Sequence, residues 1–260
     1  MPKSSAPTPS YSITVLSSGL HVLRAIGEHP NPRTPQLASK TGLTRSKVFR
    51  ILRTLEALGY VTLDEDHTAR LGPASLILGL QAQQQYTLTQ AASPILDELN
   101  RNTQENIYLM VREDTHSLIV DFHPSPHPVR IFARVGSTGS LHAGGGSRVL
   151  LAHAPSAAID AVLAQPLERF TPETITDPDR LRAVLDDIRR TDLHITVGDL
   201  QDHAFAIATP IRDHQGQVVA ALSLAGLTIR PTIRYDAEHR EKYIQQVKQA
   251  AHAISARLGA

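Results

Sequence analysis

Two groups of residues in this 260-residue chain have types and spacings that could do chemistry. The first is Arg45, Ser46, Lys47, Arg50 and Arg53. Guanidinium and ammonium groups meet phosphates and the acceptor edge of guanine, and hydroxyls can bond either, so the set suits a nucleic-acid surface. The second is Gly144-Gly145-Gly146, followed by Ser147. Glycines let a ligand approach the backbone closely. A helix starting there offers free N–H groups and the positive end of its dipole, a setting for a small anion.

Reaction chemistry finds less support. The chain has no Gly-x-Ser-x-Gly elbow, no phosphate-binding Walker loop and no His-Glu-x-x-His pair, and no positioned base and nucleophile can be named. No catalytic residue is therefore assigned. The absence of cysteine excludes disulfides, thiolate chemistry and Cys-based zinc sites. Thirteen histidines raise the question of a metal. His123 and His127 are four apart, but Pro124, Pro126 and Pro128 break any helix that would align them. His203 and His214 flank a strand. Neither a metal nor a cofactor is assigned.

The basic set needs a helix with an apolar back. Thr34-Pro35 reads as a helix start with Thr34 as cap, and Gly42 as its stop. Leu43 plugs the turn, and Thr44 caps a second helix from about Arg45 to Leu58. Val48, Ile51, Leu52, Leu55 and Leu58 recur at helical spacing as a buried stripe, so Ser46, Arg50 and Arg53 project from the other side. Gly59 ends the helix. A hairpin follows, Tyr60–Leu63 and Thr68–Leu71, around Asp64-Glu65-Asp66-His67. Helix, turn, helix, hairpin is the order of a winged helix-turn-helix, whose second helix enters the major groove of DNA. Arg70 and His67 could meet phosphate from the hairpin, whereas the acidic tip should stay off the duplex. An earlier helix, Ser18–Glu28, turns Leu20, Leu23 and Ile26 inward, supports the module and could take part in a dimer contact.

Beyond Gly72-Pro73 the pattern changes. Helices are expected at 75–90 and 94–102, then strands at 107–112, 118–122 and 129–135. The glycine run leads into a helix over 147–153, with others at 157–164 and 179–190. Strands at 194–197, 204–211 and 218–225 and a long helix, 237–258, complete the chain. Strands flanked by helices with several hairpins indicate an α+β fold around a central antiparallel sheet.

Net charge is +1, so affinity for nucleic acid must come from a local patch. Between residues 33 and 58, Arg33, Lys40, Arg45, Lys47, Arg50 and Arg53 face only Glu56. No apolar run approaches the roughly 20 residues of a membrane span, so no membrane partner is expected and the chain should be cytoplasmic. The Pro- and Ser-rich start reads as a disordered tail. The expected organisation is a tail over 1–11, a winged helix-turn-helix over 12–73, a linker helix over 74–90 and a ligand-binding domain over 91–260.

With these residues in place, the chain resembles the IclR family of bacterial transcriptional regulators over almost its whole length. The likeness rests on Leu43–Val61 as recognition helix and wing entry, on Leu141–Ala152, and on Ile207–Asp213 followed by Gly216 and Ala220–Gly226. The resemblance implies a winged helix-turn-helix, a linker helix and a C-terminal GAF-like effector domain. It also implies homodimers, some pairing into dimers of dimers. Family members control genes for the breakdown of small organic or aromatic acids and related metabolites. Matched to the family's pocket, effector-binding positions are Leu141, His142, Ala143, Gly144, Gly145, Val197, Asp199, Ala204, Ala206, Ser223 and Ala225. His142 and Ser223 would add hydrogen bonds. Arg148 departs from the usual Lys, and Asp199 stands where an acidic residue, often Glu, is usual. Asp199 disfavours a bare anion unless it holds a ligand hydroxyl or an ordered donor.

The expectation is a regulator, repressor rather than activator, of a catabolic operon. Its partners would be double-stranded operator DNA, read by Thr34, Thr44, Arg45, Ser46, Lys47, Arg50, Arg53 and Arg70, and a small organic or aromatic acid. The alternatives are a ligand-binding α+β enzyme with an accessory helix-turn-helix, which turnover of an effector would reveal, and a structural DNA-binding protein without a ligand.

Overall fold

The computed structural model describes residues 13–29, 31–85, 87–229 and 237–260, the side chains of 82–85 and 87 excepted. The expected tail over 1–11 lies outside them. The chain divides into two compact units between residues 85 and 86, within the stretch expected as the linker.

The first unit holds α1 (Thr14–Glu28), α2 (Thr34–Thr41), α3 (Arg45–Ala57), β1 (Val61–Leu63), β2 (Ala69–Leu71) and α4 (Pro73–Gln85). Val22, Ile26, Leu37, Val48, Leu52 and Val61 form its core. β1 and β2 pair antiparallel, with Val61 opposite Leu71 and Leu63 opposite Ala69.

Three expectations here are corrected. The cap of α2 is Arg33, not Thr34: the Arg33 N–H donates to Gln36 Oε1 at 2.7 Å, which makes Thr34 the first helical residue. Leu58 is 62% exposed, because α3 ends at Ala57 and the chain turns away at Gly59, where φ is 76°. Leu20 is 57% exposed, because α1 buries Ser18, Val22, Ala25 and Ile26 and Leu20 falls on the opposite side. Ile13, Leu16 and Leu20 thus form a second, exposed apolar stripe on the same helix.

The second unit holds α5 (Thr87–Thr103), β3 (Asn106–Glu113), β4 (His116–His123), β5 (Thr138–Ser140), α6 (Gly145–Ala152), α7 (Ser156–Leu163), α8 (Pro178–Thr191), β6 (His194–Val197), β7 (Ala204–Arg212), β8 (Val218–Leu227) and α9 (Ala237–Arg257). Its six strands run in the order β5-β4-β3-β8-β7-β6, each antiparallel to its neighbours. Alternation along the strands gives the sheet two apolar faces. Leu109, Phe205, Ile207, Leu222 and Leu224 pack with α5 and α9. Ala208 and Ala221 pack with α6, α7 and α8.

Two segments depart from expectation. Residues 129–135 are irregular, and the next strand is β5. Val129, Phe132 and Val135 are exposed, so strand-like residue types gain no burial there. Asn106, buried beneath this segment, anchors it: its Nδ2 donates to the Ile131 carbonyl at 3.1 Å, and its Oδ1 accepts from the Ser125 N–H at 2.8 Å. The helices expected at 75–90 and 94–102 are instead α4 and α5, with Pro94 inside α5. Proline removes one helical hydrogen bond, and burial of Leu88, Ala92, Leu96 and Leu99 along one face offsets that loss.

Two outcomes test this description. The Gly72 N–H donates to the Tyr60 carbonyl at 2.7 Å, and a Cβ on Gly72 would collide with the Gly59 carbonyl oxygen. Gly72→Ala should therefore destabilise the first unit by about 1–3 kcal/mol, visible as faster amide exchange across the hairpin; unaltered exchange would contradict the packing. In the second unit His123 sits 3.6 Å from Asp121 and 2.8 Å from Asp97, and these carboxylates, Asp121 foremost, raise its pKa above the usual value. A raised folded-state value means the stabilisation is fully present below the unfolded value, about 6.5, and is lost as pH rises through the folded value. Melting temperatures from about pH 5 to about pH 8 should show wild type losing its advantage over His123→Gln as pH rises. Parallel curves would refute the assignment.

Candidate functional site

α3 places the basic set. Thr44 Oγ1 accepts from the Lys47 N–H at 3.3 Å, fixing the helix start, and Gly42 takes φ 69° to turn the chain out of α2. Val48, Ile51 and Leu52 are buried and Leu55 is half-buried, while Arg45, Ser46, Arg50 and Arg53 stand in solvent. Among the described residues Arg45, Lys47 and Arg50 form no ion pair. Arg53 Nη1 lies 2.8 Å from Glu56 at the surface. Arg70 is engaged at the surface of the hairpin: its Nε donates to Asn31 Oδ1 at 2.7 Å and its Nη2 lies 3.7 Å from Asp64. Arg33 lies 3.7 Å from Asp66. The acidic tip thus has cations of its own, and the Thr68 backbone N–H lowers the Asp64 pKa from its usual value. Among the described residues of the first unit, the cations with no side-chain partner are Arg45, Lys47 and Arg50 of α3.

The second unit contains a cavity of about 390 Å³ over the N-terminus of α6. Ala143, Gly144, Gly145, Asp199, Ala204, Ala206, Ser223 and Ala225 line it, as the sequence suggests. Three expected positions do not. Leu141 is buried in the core beneath α6. His142 donates from Nε2 to the Glu168 carbonyl at 2.8 Å and stacks on Phe170 at 5.7 Å, so its polar edge is occupied. Val197 faces outward on β6, 38% exposed.

Four further lining residues were not legible in the sequence: Tyr108, Met110 and Ile119, with Phe132 at the irregular segment. Tyr108 stands directly across from Ser223 in the β3–β8 pair, and Met110 across from Ala221. Strand pairing would have disclosed them once Ser223 was chosen. The glycines pack tightly: a Cβ at Gly145 would come within 3.0 Å of Ala206 Cβ, and one at Gly146 within 2.6 Å of Met110 Sδ and 3.3 Å of Ser223 Cβ. Gly144 caps α6 at φ 88°.

The loop is held by a buried ion pair. Arg148 Nη2 donates to Asp199 Oδ1 at 2.6 Å, and the Gly144 N–H donates to Asp199 Oδ2 at 2.6 Å. Arg148 Nε donates to the His142 carbonyl at 2.7 Å. Thr174 Oγ1 donates to the Asp199 carbonyl and Thr171 Oγ1 to the Gly198 carbonyl, both at 2.6 Å. Asp199 is thus engaged by ordered protein donors. Burial lowers the Arg148 pKa and Asp199 works against that fall. Burial, then Arg148, pushes His194 down to about 4, so it stays neutral and accepts from Arg148 Nη1 at 3.4 Å.

The amides of Gly145, Gly146 and Ser147 have no acceptor among the described residues, and they begin a helix whose dipole favours negative charge. No group of three His, Asp or Glu suited to a metal occurs among the described residues. No described helix is long and apolar enough to cross a membrane.

Removing one member of a buried pair strands the other charge. Arg148→Ala should lower the unfolding free energy of the second unit by about 3–5 kcal/mol in urea, with Arg148→Lys recovering part of it. A loss near zero for Arg148→Ala would show the pair to be dispensable.

The chain was compared with known proteins. Residues 15–65 match the model of the IclR helix-turn-helix domain, and residues 80–256 match that of the bacterial transcriptional regulator IclR C-terminal domain. The HTH-type transcriptional regulator KipR of Bacillus subtilis is 29% identical over 248 residues, 95% of this chain and 97% of that protein. The glycerol operon regulatory protein of Streptomyces coelicolor is 30% identical over 225 residues, 86% of this chain and 87% of that protein. Among solved structures, an IclR homolog from Microbacterium hydrocarbonoxydans complexed with 4-hydroxybenzoate superposes with a TM-score of 0.81 at 26% identity, covering 94% of this chain and 98% of that one.

Proposed function

Because the chain belongs to the IclR family of bacterial transcriptional regulators, and is a DNA-binding regulator rather than an enzyme, we propose that it represses a catabolic operon and is controlled by a small organic or aromatic acid. The observation that carries this reading is the pairing, in one chain, of an α3 whose Arg45, Lys47 and Arg50 lack internal partners with a cavity closed by free amides at the start of α6. The first suits phosphates and base edges in a major groove. The second suits a carboxylate. The relative solved with 4-hydroxybenzoate supports an acid as effector.

Two copies bind a pseudo-palindromic operator as a homodimer, or as a dimer of dimers, with half-sites about one helical turn or a multiple apart. The exposed Ile13, Leu16 and Leu20 stripe supports self-association. The effector changes DNA affinity only through its differential affinity for two arrangements of the protein. The stretch spanning α4 and α5, the covalent route from one unit to the other, carries that change.

The test is a fluorescence-anisotropy titration against the DNA upstream of the protein's own gene, with and without candidate acids. Arg50→Ala should weaken binding by about tenfold or more, in line with about 1–3 kcal/mol for a base-edge contact, without altering the melting temperature. Unchanged binding would remove Arg50 from the contact surface, and affinity indifferent to every acid tested would remove the effector.

A further inference from the structure

The cavity can be read further for the charge of what it holds, an inference that rests on the effector reading above. Of its lining residues only Tyr108 and Asp199 carry ionisable side chains. Burial raises the Tyr108 pKa far above its usual value, so the phenol stays neutral. Asp199 is matched by Arg148, and the Arg148 guanidinium is also occupied by the His142 carbonyl and His194. Arg148 is therefore neutralised before a ligand enters, and among the described residues no Lys, Arg or His lines the wall; Arg134 lies outside it, over the Phe132 ring at 5.0 Å.

What remains for an anion is the cluster of free amides at Gly145, Gly146 and Ser147. A second observation places polar ligand atoms beside them. Ser223 is 3% exposed and Thr196 8% exposed; both line the cavity, and neither hydroxyl has a hydrogen-bond partner among the described residues. Ser223 adjoins Gly146, its Cβ lying 3.3 Å from where a Cβ on that glycine would stand. Both oxygens are open to the cavity and not sealed in the core, so a ligand there can bond them. The rest of the lining includes Ile119, Ile131 and Phe132, which offer apolar surface and no counter-charge of their own.

We infer that the cavity selects a singly charged carboxylate with a neutral body, and rejects acids that carry a second carboxylate. One carboxylate is held at the α6 N-terminus by the free amides, with the Ser223 and Thr196 hydroxyls beside it. A second would lie against Met110, Ile119 and Ile131, where none of the described lining residues is a cation, and an unpaired charge taken out of water is costly. At about 390 Å³ the space suits a single-ring or short-chain acid.

Matched pairs test the inference: 4-hydroxybenzoate against terephthalate, and 4-hydroxybutyrate against glutarate, each titrated into the full-length protein by calorimetry near neutral pH. In each pair a neutral hydroxyl is exchanged for a carboxylate. The dianion should bind at least about tenfold more weakly than its partner in any pair that binds. A dianion binding as tightly as its partner would overturn the charge rule and leave the acid-effector reading standing. No heat from any of the four acids, with DNA binding intact, would overturn both. Asp199→Asn provides a gain-of-binding arm, since it removes the negative charge and leaves Arg148 uncompensated beside the cavity. The gap between dianion and monoanion should then narrow or reverse. A folded variant that keeps the wild-type ordering would overturn the role given to the pair, and if the variant does not fold the wild-type pairs still decide.

Discussion

A guanidinium sealed from water must find its counter-charge nearby, and in this protein Arg148 finds it in Asp199. Much of the second unit follows from that requirement. Arg148 belongs to α6 and Asp199 to the turn after β6, so the pair joins a helix on one face of the sheet to the strand edge beside it. The second carboxylate oxygen takes the Gly144 N–H, which sets the angle at which α6 begins. Thr171 and Thr174 tie the backbone of the same turn to the segment before α8. One charge pair with its hydrogen bonds thus shapes the glycine loop, and the loop shapes the cavity. Asp199 therefore acts on the ligand side indirectly: it consumes the Gly144 amide and leaves the next three to face the cavity.

The reading head depends on the opposite arrangement. Arg45, Lys47 and Arg50 of α3 have been left without ion-pair partners among the described residues, whereas Asp64 and Asp66 at the hairpin tip are matched by Arg70 of the hairpin and by Arg33 ahead of α2. Long-range attraction to a polyanion is thereby concentrated on one helix in a chain whose total charge is nearly zero.

The parts legible in the sequence are those fixed by local rules. The helix-turn-helix shows through 3.6-residue periodicity, the Thr44 cap and the Gly42 and Gly59 stops, and all of these lie within a short stretch. The glycine run announces a helix start for the same reason. What was not legible depends on distant partners. Residues 129–135 have the composition of a strand, but no neighbouring strand receives them. Tyr108 and Met110 join the cavity only because β3 pairs with β8, and Arg148 meets Asp199 across 51 positions of sequence. His142 was misassigned because its residue type advertises a polar edge, and nothing local reveals that the Glu168 carbonyl already occupies it. Leu20 and Leu58 show the lesser failure, where a correct periodicity does not say which apolar face is buried or where the helix stops.

The packing of the glycines bears on how such a binding site can diversify. On one side the wall is backbone, and any side chain at Gly145 or Gly146 would press on Ala206, Met110 or Ser223. Substitution there disturbs the helix start and the sheet together, so that side is closed to gradual change. The rest of the lining includes Ile119, Ile131 and Phe132, whose side chains can be exchanged for larger or smaller ones without moving the main chain. Descendants of this gene would therefore be expected to keep the chemical group they grip and vary the shape of what is attached to it, so new ligands would be accommodated by remodelling one part of the lining.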